Sequence, residues 1–289
     1  MDAKNKKNGF LWLSVFGLIA VLVISGCTEN PPGGVETKEL SGALTVSGST
    51  TVLPIAQQAA DAFMDKYSEV NIQVSGGGSG VGVQSAGTKT ADIGLSSREL
   101  KDSEKKDYPD LVSYPIAKDG IAIIVNPKNT LSSLTEDQIK KIYEGTYTNW
   151  KDLGGNDREI VVVSRDTASG TREFFLEHIM KKGNLTKKAL EKNANGAVQQ
   201  TVAQTPGAIG YVGLGYIDAT VKAIKIDKNG VLTEPTVKNI LDGKYPISRD
   251  LYMITNGPAA GLEKEFIDFI ISDEGQKIVE KERFVPLLA

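Results

Sequence analysis

The sequence predicts an α/β fold whose sheet is largely parallel and whose core is divided between two lobes. Downstream of residue 42, short apolar runs rich in β-branched residues alternate with longer amphipathic segments. Strands that alternate with helices in this way are typical of α/β layers. The chain has 289 residues, which is more than one hydrophobic core usually spans, so two lobes are expected.

Seven apolar segments are predicted as strands. In chain order they read ALTVSG, NIQVS, ADIGLS, LVSYPIAKDGIAIIVNP, EIVVVS, AIGYVGLGYI and SRDLYMITN. Most are short runs bounded by Gly, Pro, Ser or Asp, which favours a strand over a helix. The fourth segment is predicted to contain two strands.

Five segments between or after the strands are predicted as helices. They read LPIAQQAADAFMDKY, VGVQSAGTK, LTEDQIKKIYEG, SGTREFFLEHIM and EKEFIDFIISDEGQKIVEKE. In the first, Ile55, Ala59 and Phe63 recur on one face. The third has a good N-cap in Thr135, followed by acidic residues that favour the first turn of a helix.

The first 27 residues have the pattern of an export signal. Three lysines precede the almost uncharged run LWLSVFGLIAVLVISG, and Cys27 follows. A retained membrane anchor is the alternative, but an apolar run of about 16 residues is short for a span, which needs roughly 20. The ending ISGC resembles the lipobox of secreted lipoproteins. We therefore expect a signal peptide at residues 1–26 and lipidation of Cys27.

Composition excludes several classes of function. Cys27 is the only cysteine and His178 the only histidine, so the sequence predicts no disulfide, no metal site and no cofactor. A formal net charge of −3 argues against a nucleic-acid partner. Residues 27–41, rich in proline and glycine, are predicted to form a flexible tether behind the lipidated cysteine.

Three turns of similar composition follow three predicted strands. SGSTTVLP follows ALTV, SGGGSGVG follows NIQV, SRDTASGT follows IVVV, and each leads into a helix. Ligands of α/β sheets bind at the carboxyl ends of strands, and helix N-termini attract anions. Glycine permits close approach, hydroxyls donate hydrogen bonds, and Arg165 can bind two oxygens at once. Each turn alone is more typical of a plain helix cap, but together they predict an oxyanion site.

A catalytic serine is the competing interpretation of the same turns. Ser169 or Ser79 would need a base within reach, and His178 lies inside a predicted helix. We therefore predict a binding protein rather than an enzyme, with a lipid-anchored serine hydrolase as the alternative.

Four segments together resemble the phosphate-binding lipoproteins of phosphate ABC transporters, the PstS-type family. They are SGSTTVLPIAQQAADAF, VSGGGSGVGVQSAGTKTADIGLSSREL, SRDTASGTREFF and TPGAIGYVGLGY, in the family's order. The resemblance implies a two-lobed periplasmic-binding-protein-like fold of type II, which closes over one phosphate. Lobe I would comprise residues 42–117 and 249–289, lobe II would comprise residues 118–248, and two crossover strands would join them.

The resemblance also implies a role in transport. The protein would capture inorganic phosphate on the outer face of the cytoplasmic membrane, extracellular or periplasmic, held there through Cys27. It would deliver the phosphate as a monomer to the permease of an ABC transporter. A receptor for sulfate, molybdate or tungstate, or a sensor that regulates a partner, is the alternative.

The phosphate-binding residues are carried over from the family position by position. They are Ser49, Thr50, Thr51, Ser79, Ser96 and Ser97 in lobe I, and Arg165, Ser169, Gly170 and Thr171 in lobe II. Some family members have an aspartate where Ser97 stands, which accepts a hydrogen bond from protonated phosphate and repels sulfate. A hydroxyl also accepts hydrogen bonds, so we expect Ser97 to accept in its place and to discriminate less strongly against sulfate.

Overall fold

The structure is a computed structural model of the chain and describes residues 39–287. The predicted signal peptide (1–26), Cys27 and most of the predicted tether (27–41) lie outside the described residues. Within 39–287, no helix is long and apolar enough to cross a membrane.

Twelve strands form a nine-stranded sheet and a separate three-stranded sheet within the described residues. The strands are β1 (Ser41–Gly48), β2 (Glu69–Ser75), β3 (Ile93–Ser96), β4 (Leu111–Val125), β5 (Ser133–Thr135), β6 (Val161–Arg165), β7 (Leu190–Lys192), β8 (Ala208–Gly213), β9 (Lys222–Ala223), β10 (Lys225–Lys228), β11 (Val231–Thr233) and β12 (Ser248–Asn256).

The same part of the chain contains nine α-helices. They are α1 (Leu53–Lys66), α2 (Ser79–Gly87), α3 (Asp102–Asp107), α4 (Glu136–Glu144), α5 (Gly170–His178), α6 (Asn195–Gln204), α7 (Val237–Leu241), α8 (Gly261–Ile271) and α9 (Asp273–Lys281). The predicted cap of α4 is confirmed, because Thr135 Oγ1 accepts a hydrogen bond from the Gln138 N–H at 3.1 Å.

The large sheet is mixed, so the prediction of a largely parallel sheet is wrong. Its strand order is β2-β1-β3-β12-β4-β8-β6-β7, and β9 also pairs with β4. The pairs at the two ends are parallel, whereas every pair made by β12 or β4 is antiparallel. The two crossing strands run in opposite directions because the chain leaves the first half of the sheet along β4 and returns along β12.

The segment predicted to hold two strands forms the single strand β4, 15 residues long. β4 pairs with β12 as far as Gly120 and with β8 from Ile121 onwards. The strand needs no turn because its partner changes without a break in the backbone ladder. A register shift between Leu251 and Tyr252 of β12 adjusts the pairing.

Hydrophobic cores lie on both sides of this crossing. One is filled from residues 44–117 and 251–284, and we call the part built on it the first lobe. The others are filled from residues 121–247 with Val285, and we call that part the second lobe. The helical face predicted for α1 packs into the first core, because Ile55, Ala59 and Phe63 are all buried there.

The long helix predicted after β12 is two helices in the structure. α8 ends at Ile271, and Ser272 adopts an extended conformation with φ −63° and ψ 165°. The Ser272 hydroxyl accepts a hydrogen bond from the Gly275 N–H at 3.4 Å and so caps α9. A serine that caps one helix interrupts the preceding one because the N-cap conformation is not helical.

Candidate functional site

The first, second and third Ser/Thr/Gly turns meet where the two lobes face each other. Thr51 Oγ1, in the turn after β1, lies 3.0 Å from Thr171 Oγ1, in the turn after β6. The Gly80 N–H donates to the carbonyl of Ala168 at 3.0 Å. Gly78 has φ +98°, and a Cβ there would lie 2.6 Å from the same carbonyl oxygen. Only glycine permits this conformation and this approach.

The turn after β3 contributes Ser97 to the same region, where Ser97 contacts Ser79 at the start of α2. Ser79 Oγ lies 3.2 Å from Ser97 Oγ and accepts the Ser97 N–H at 3.0 Å. On the opposite lobe, a Cβ at Gly170 would lie 2.8 Å from Ser79 Cβ and 3.0 Å from Ser97 Oγ. The start of α5 therefore packs directly against the two serines. All ten residues predicted to bind phosphate are buried.

Three helices begin in this buried region. α2 begins at Ser79, α5 at Gly170 and α6 at Asn195. The first N–H groups of a helix lack intrahelical acceptors, and the helix dipole places partial positive charge there. The convergence of three such ends makes the region a favourable seat for an anion.

Three of the predicted hydroxyls are engaged within their own turns. Ser49 Oγ accepts the Thr51 N–H at 3.2 Å, and Ser96 Oγ donates to the carbonyl of Arg98 at 2.7 Å. Ser169 Oγ accepts the Arg172 N–H at 3.1 Å and so caps α5. These bonds fix the shape of the turns, while a contact between each hydroxyl and phosphate stays a prediction.

Arg165 is buried with one edge of its guanidinium held by the backbone. Its Nε donates to the carbonyl of Lys192 and its Nη2 to that of Asn193, each at 3.1 Å. Its Nη1 is buried and has no hydrogen-bond partner within residues 39–287. Burial lowers the pKa of Arg165, although the nearby Asp166 carboxylate opposes this shift. A desolvated cation with an unused donor is suited to bind an anion.

Asn195 belongs to the same cluster but was not predicted. Its Nδ2 donates to Thr50 Oγ1 and to Thr51 Oγ1, both at 3.0 Å, and its Oδ1 accepts the Gly213 N–H at 3.2 Å. The phenol of Tyr216 donates to the carbonyl of Thr50 at 2.5 Å. One signal for this site was present in the sequence, because Asn195-Gly196 precedes an amphipathic run, but no strand was predicted before it.

Arg249 and Asp119 form a buried ion pair beside Thr51 and Thr171. They are cross-strand partners in β12 and β4, and Arg249 Nη2 donates to Asp119 Oδ2 at 2.7 Å. The same Nη2 donates to Thr171 Oγ1 at 2.9 Å and lies 3.3 Å from Thr51 Oγ1. Burial raises the pKa of Asp119 and lowers that of Arg249. Arg249 was predicted only to mark the boundary between the lobes.

Arg98, which follows Ser97, points away from the serines. Its guanidinium donates to both carboxylate oxygens of Glu104, at 2.8 and 2.6 Å. Its Nε also lies 2.6 Å from the carboxylate of Glu173 on α5. Arg98 therefore links the two lobes rather than joining the cluster of hydroxyls. Glu104 lies on the short helix α3.

Glu104 is expected to make the stability of this link depend on pH. Burial alone would raise the pKa of Glu104, but hydrogen bonds from Arg98 and from the Lys101 N–H hold it below its ordinary value of 4.5. A lowered pKa stabilises the fold above the unfolded-state pKa, and this contribution is lost as the pH falls through the folded-state pKa. The melting temperature of the unaltered chain should therefore fall more steeply than that of Glu104→Gln between about pH 5 and pH 3.

The matched control for this prediction is Asp107→Asn at the exposed end of α3. Its melting temperature should follow that of the unaltered chain across the same pH range. Parallel curves for the unaltered chain and Glu104→Gln would show that the Arg98–Glu104 pair contributes nothing to the acid dependence.

His178 does not reach the serines proposed as nucleophiles. It is the last residue of α5 and is exposed, and its Nδ1 lies 3.0 Å from the carbonyl of Phe174. Its ring stacks on Phe174, with ring centroids 3.7 Å apart. Within residues 39–287 there is also no group of three His, Cys, Asp or Glu side chains placed to hold a metal ion.

Two comparisons of the sequence with known proteins agree. The pattern of a family described as "PBP superfamily domain" matches residues 33–274. A phosphate-binding protein PstS of Bacillus subtilis is 35% identical over 289 residues, which cover 98% of this chain and 95% of that protein. The chain is a PstS-type member of the PBP superfamily. This membership confirms the resemblance found in the four sequence segments.

Solved structures of other proteins have a similar architecture. A Clostridium perfringens protein crystallised with bound phosphate is 40% identical, with a TM-score of 0.79 over 85% of this chain and 100% of that one. An ABC-type phosphate transport receptor from Vibrio cholerae is 34% identical, with a TM-score of 0.68 over 84% and 99%. The predicted two-lobed, periplasmic-binding-protein-like fold is thereby confirmed.

Proposed function

We propose that this protein is an extracytoplasmic solute-binding protein that captures inorganic phosphate and delivers it, chemically unchanged, to the permease of a phosphate ABC transporter. The observation that carries the proposal is the meeting of three Ser/Thr/Gly turns from both lobes, the third of which begins at the buried Arg165 with its unpartnered Nη1. Each lobe contributes part of the donors, so an oxyanion between them would favour the closed arrangement through its differential contacts.

The chemistry of the buried cluster favours an oxyanion. Hydroxyls, helix N-termini and guanidinium groups all donate hydrogen bonds to oxygen. Phosphate is favoured by the names of the relatives and by the phosphate bound in the Clostridium perfringens structure. In this chain, the Ser97 hydroxyl would accept the hydrogen bond from the ligand's proton.

A receptor for a different oxyanion is the second candidate. The observation that favours it is Ser97, which replaces an acceptor-only carboxylate with a group that donates as well as accepts. Without a carboxylate there, a fully ionised anion such as sulfate meets no negative charge from that residue.

Attachment and organisation complete the proposal. Lipidation of Cys27 after removal of residues 1–26 would hold the protein on the outer face of the cytoplasmic membrane, with residues 27–41 as the tether. With lobe boundaries near residues 117 and 249, the second lobe would be an insertion in the first. We propose that the protein acts as a monomer.

Calorimetric titration of the full chain, purified in mild detergent, with phosphate and then sulfate at pH 5.5 and 8 tests the proposed function. Tight binding of phosphate without a response to sulfate is the expected result. Equal binding of both anions would mean that the protein is a receptor for oxyanions in general rather than for phosphate. Absence of heat with either anion, on folded protein freed of bound ligand, would contradict the proposal, as would turnover of an ester that Ser169→Ala abolishes.

A further inference from the structure

Arg249 lies where the two lobes and the two crossing strands meet. It is 6% exposed, and Asp119 is fully buried. Asp119 holds it through two hydrogen bonds, from Nε at 3.0 Å and from Nη2 at 2.7 Å, both to Oδ2. Asp119 Oδ1 is in turn fixed by the Leu214 N–H at 2.8 Å. The guanidinium therefore has a defined orientation rather than a mobile one.

The guanidinium of Arg249 also contacts the buried hydroxyls of Thr51 and Thr171. Nη2 donates to Thr171 Oγ1 of the second lobe and lies within hydrogen-bond distance of Thr51 Oγ1 of the first. Nη1 is buried and has no hydrogen-bond partner among the described residues. Arg165 has the same feature at its own Nη1. Arg165 and Arg249 are therefore two buried cations, and the Nη1 of each has no hydrogen-bond partner among the described residues.

The two arginines also influence each other electrically. Burial is the largest cause of the lowered pKa of Arg165, and the positive charge of Arg249 lowers this pKa further. The hydrogen bonds of Asp119 go to Arg249 and to the Leu214 backbone, and the acid whose charge acts on Arg165 is Asp166. An unmade hydrogen bond to a buried charged group is costly, and an oxyanion between the two guanidinium groups would remove this cost for both.

We propose that Arg249 is a second phosphate-contacting arginine, which binds the anion through Nη1 while Nη2 holds Thr51 and Thr171. This inference rests on the proposed capture of phosphate and adds a contact from the crossing strand β12. Arg249 also lines a surface groove of about 830 Å³ next to Phe174, whose ring centroid is 5.9 Å from its Cζ.

The test must remove Arg249 without leaving Asp119 as an unpaired buried charge, which is strongly destabilising. The paired variant Arg249→Gln/Asp119→Asn meets this need. Titration of the full chain with phosphate is expected to give an affinity lower by roughly 30-fold or more. The matched control is Lys118→Gln/Asp250→Asn, which removes the neighbouring ion pair of the same two strands, 2.8 Å apart. Its affinity should stay within about twofold, since surface ion pairs contribute little.

A double-mutant cycle separates contact with phosphate from an effect through the threonines. If Arg249 binds the anion directly, the paired variant still loses affinity when Thr51→Val and Thr171→Val are already present. If the loss vanishes in that background, Arg249 only positions the threonines and the proposal is wrong. Should the paired variant fail to fold, Arg249→Lys keeps a charge beside Asp119 but lacks Nη1. The proposal expects a drop of roughly tenfold or more from it, and full affinity would overturn the proposal.

The outcome for the unaltered chain distinguishes the two proposals. If the unaltered chain binds phosphate and the paired variant binds it equally tightly, the proposed role of Arg249 is wrong but the proposed function stands. No phosphate binding by the unaltered, folded chain would overturn both the proposed function and this inference.

Discussion

Replacing Arg165 with methionine is expected to lower the affinity for phosphate by roughly 100-fold or more, since losing one partner of a buried charge pair costs about 2–5 kcal/mol. Arg165 is 1% exposed, and its Nη1 has no partner within residues 39–287. Methionine fills much of the same volume but offers neither charge nor donors. Calorimetric titration with phosphate measures the loss directly.

The control for this variant is Arg158→Met, in an exposed turn before β6 of the same lobe. Its affinity should match that of the unaltered chain. Melting temperatures without phosphate check that both variants fold. Unchanged phosphate affinity in Arg165→Met would mean that the anion does not bind at the turn after β6.

Replacing Gly170 with alanine is expected to weaken phosphate binding by roughly 10- to 100-fold, because overpacking costs about 1–3 kcal/mol. A Cβ at Gly170 would collide with the Ser79 hydroxyl and crowd that of Ser97. These serines lie on the opposite lobe, so the collision exists only when the lobes are closed. Without phosphate, the melting temperature should stay the same or rise, since alanine favours a helix over glycine by up to about 1 kcal/mol.

The chain offers a matched control in Gly196→Ala. Gly196 is also in the first turn of a helix, but its Cβ would meet nothing nearer than Tyr216 Cε1 at 4.0 Å. Its phosphate affinity should be unchanged, and small-angle scattering should show normal closure with phosphate. If Gly170→Ala also closes and binds normally, the packing of α5 against Ser79 is not a condition of binding.

Local features of the site could be predicted because neighbouring residues determine them. The segment from the end of β6 to the start of α5 contains the cation Arg165 and the helix cap Ser169, and both can be predicted from a strand that runs into a helix. The Thr135 cap of α4 is readable for the same reason. In each case a few consecutive residues fix the backbone and the direction of the side chain.

Features created by pairing distant segments could not be predicted. Asp119 and Arg249 are 130 residues apart in sequence and meet only because β4 and β12 are antiparallel neighbours. The mixed direction of the sheet was missed for the same reason, since a strand's partner is not encoded next to it. Asn195 was missed because its helix follows a polar stretch with no clear strand.

The place of β12 in the large sheet sets the order in which the protein can assemble. β12 lies between β3 and β4, and the first core also requires Phe266 and Phe284. A chain made from its N-terminus therefore has the second lobe's strands available while the first lobe still lacks the strand that lies between β3 and β4. The lobe that begins first is completed last, because β3 pairs with β1 early but must wait for β12, more than a hundred residues away, on its other side.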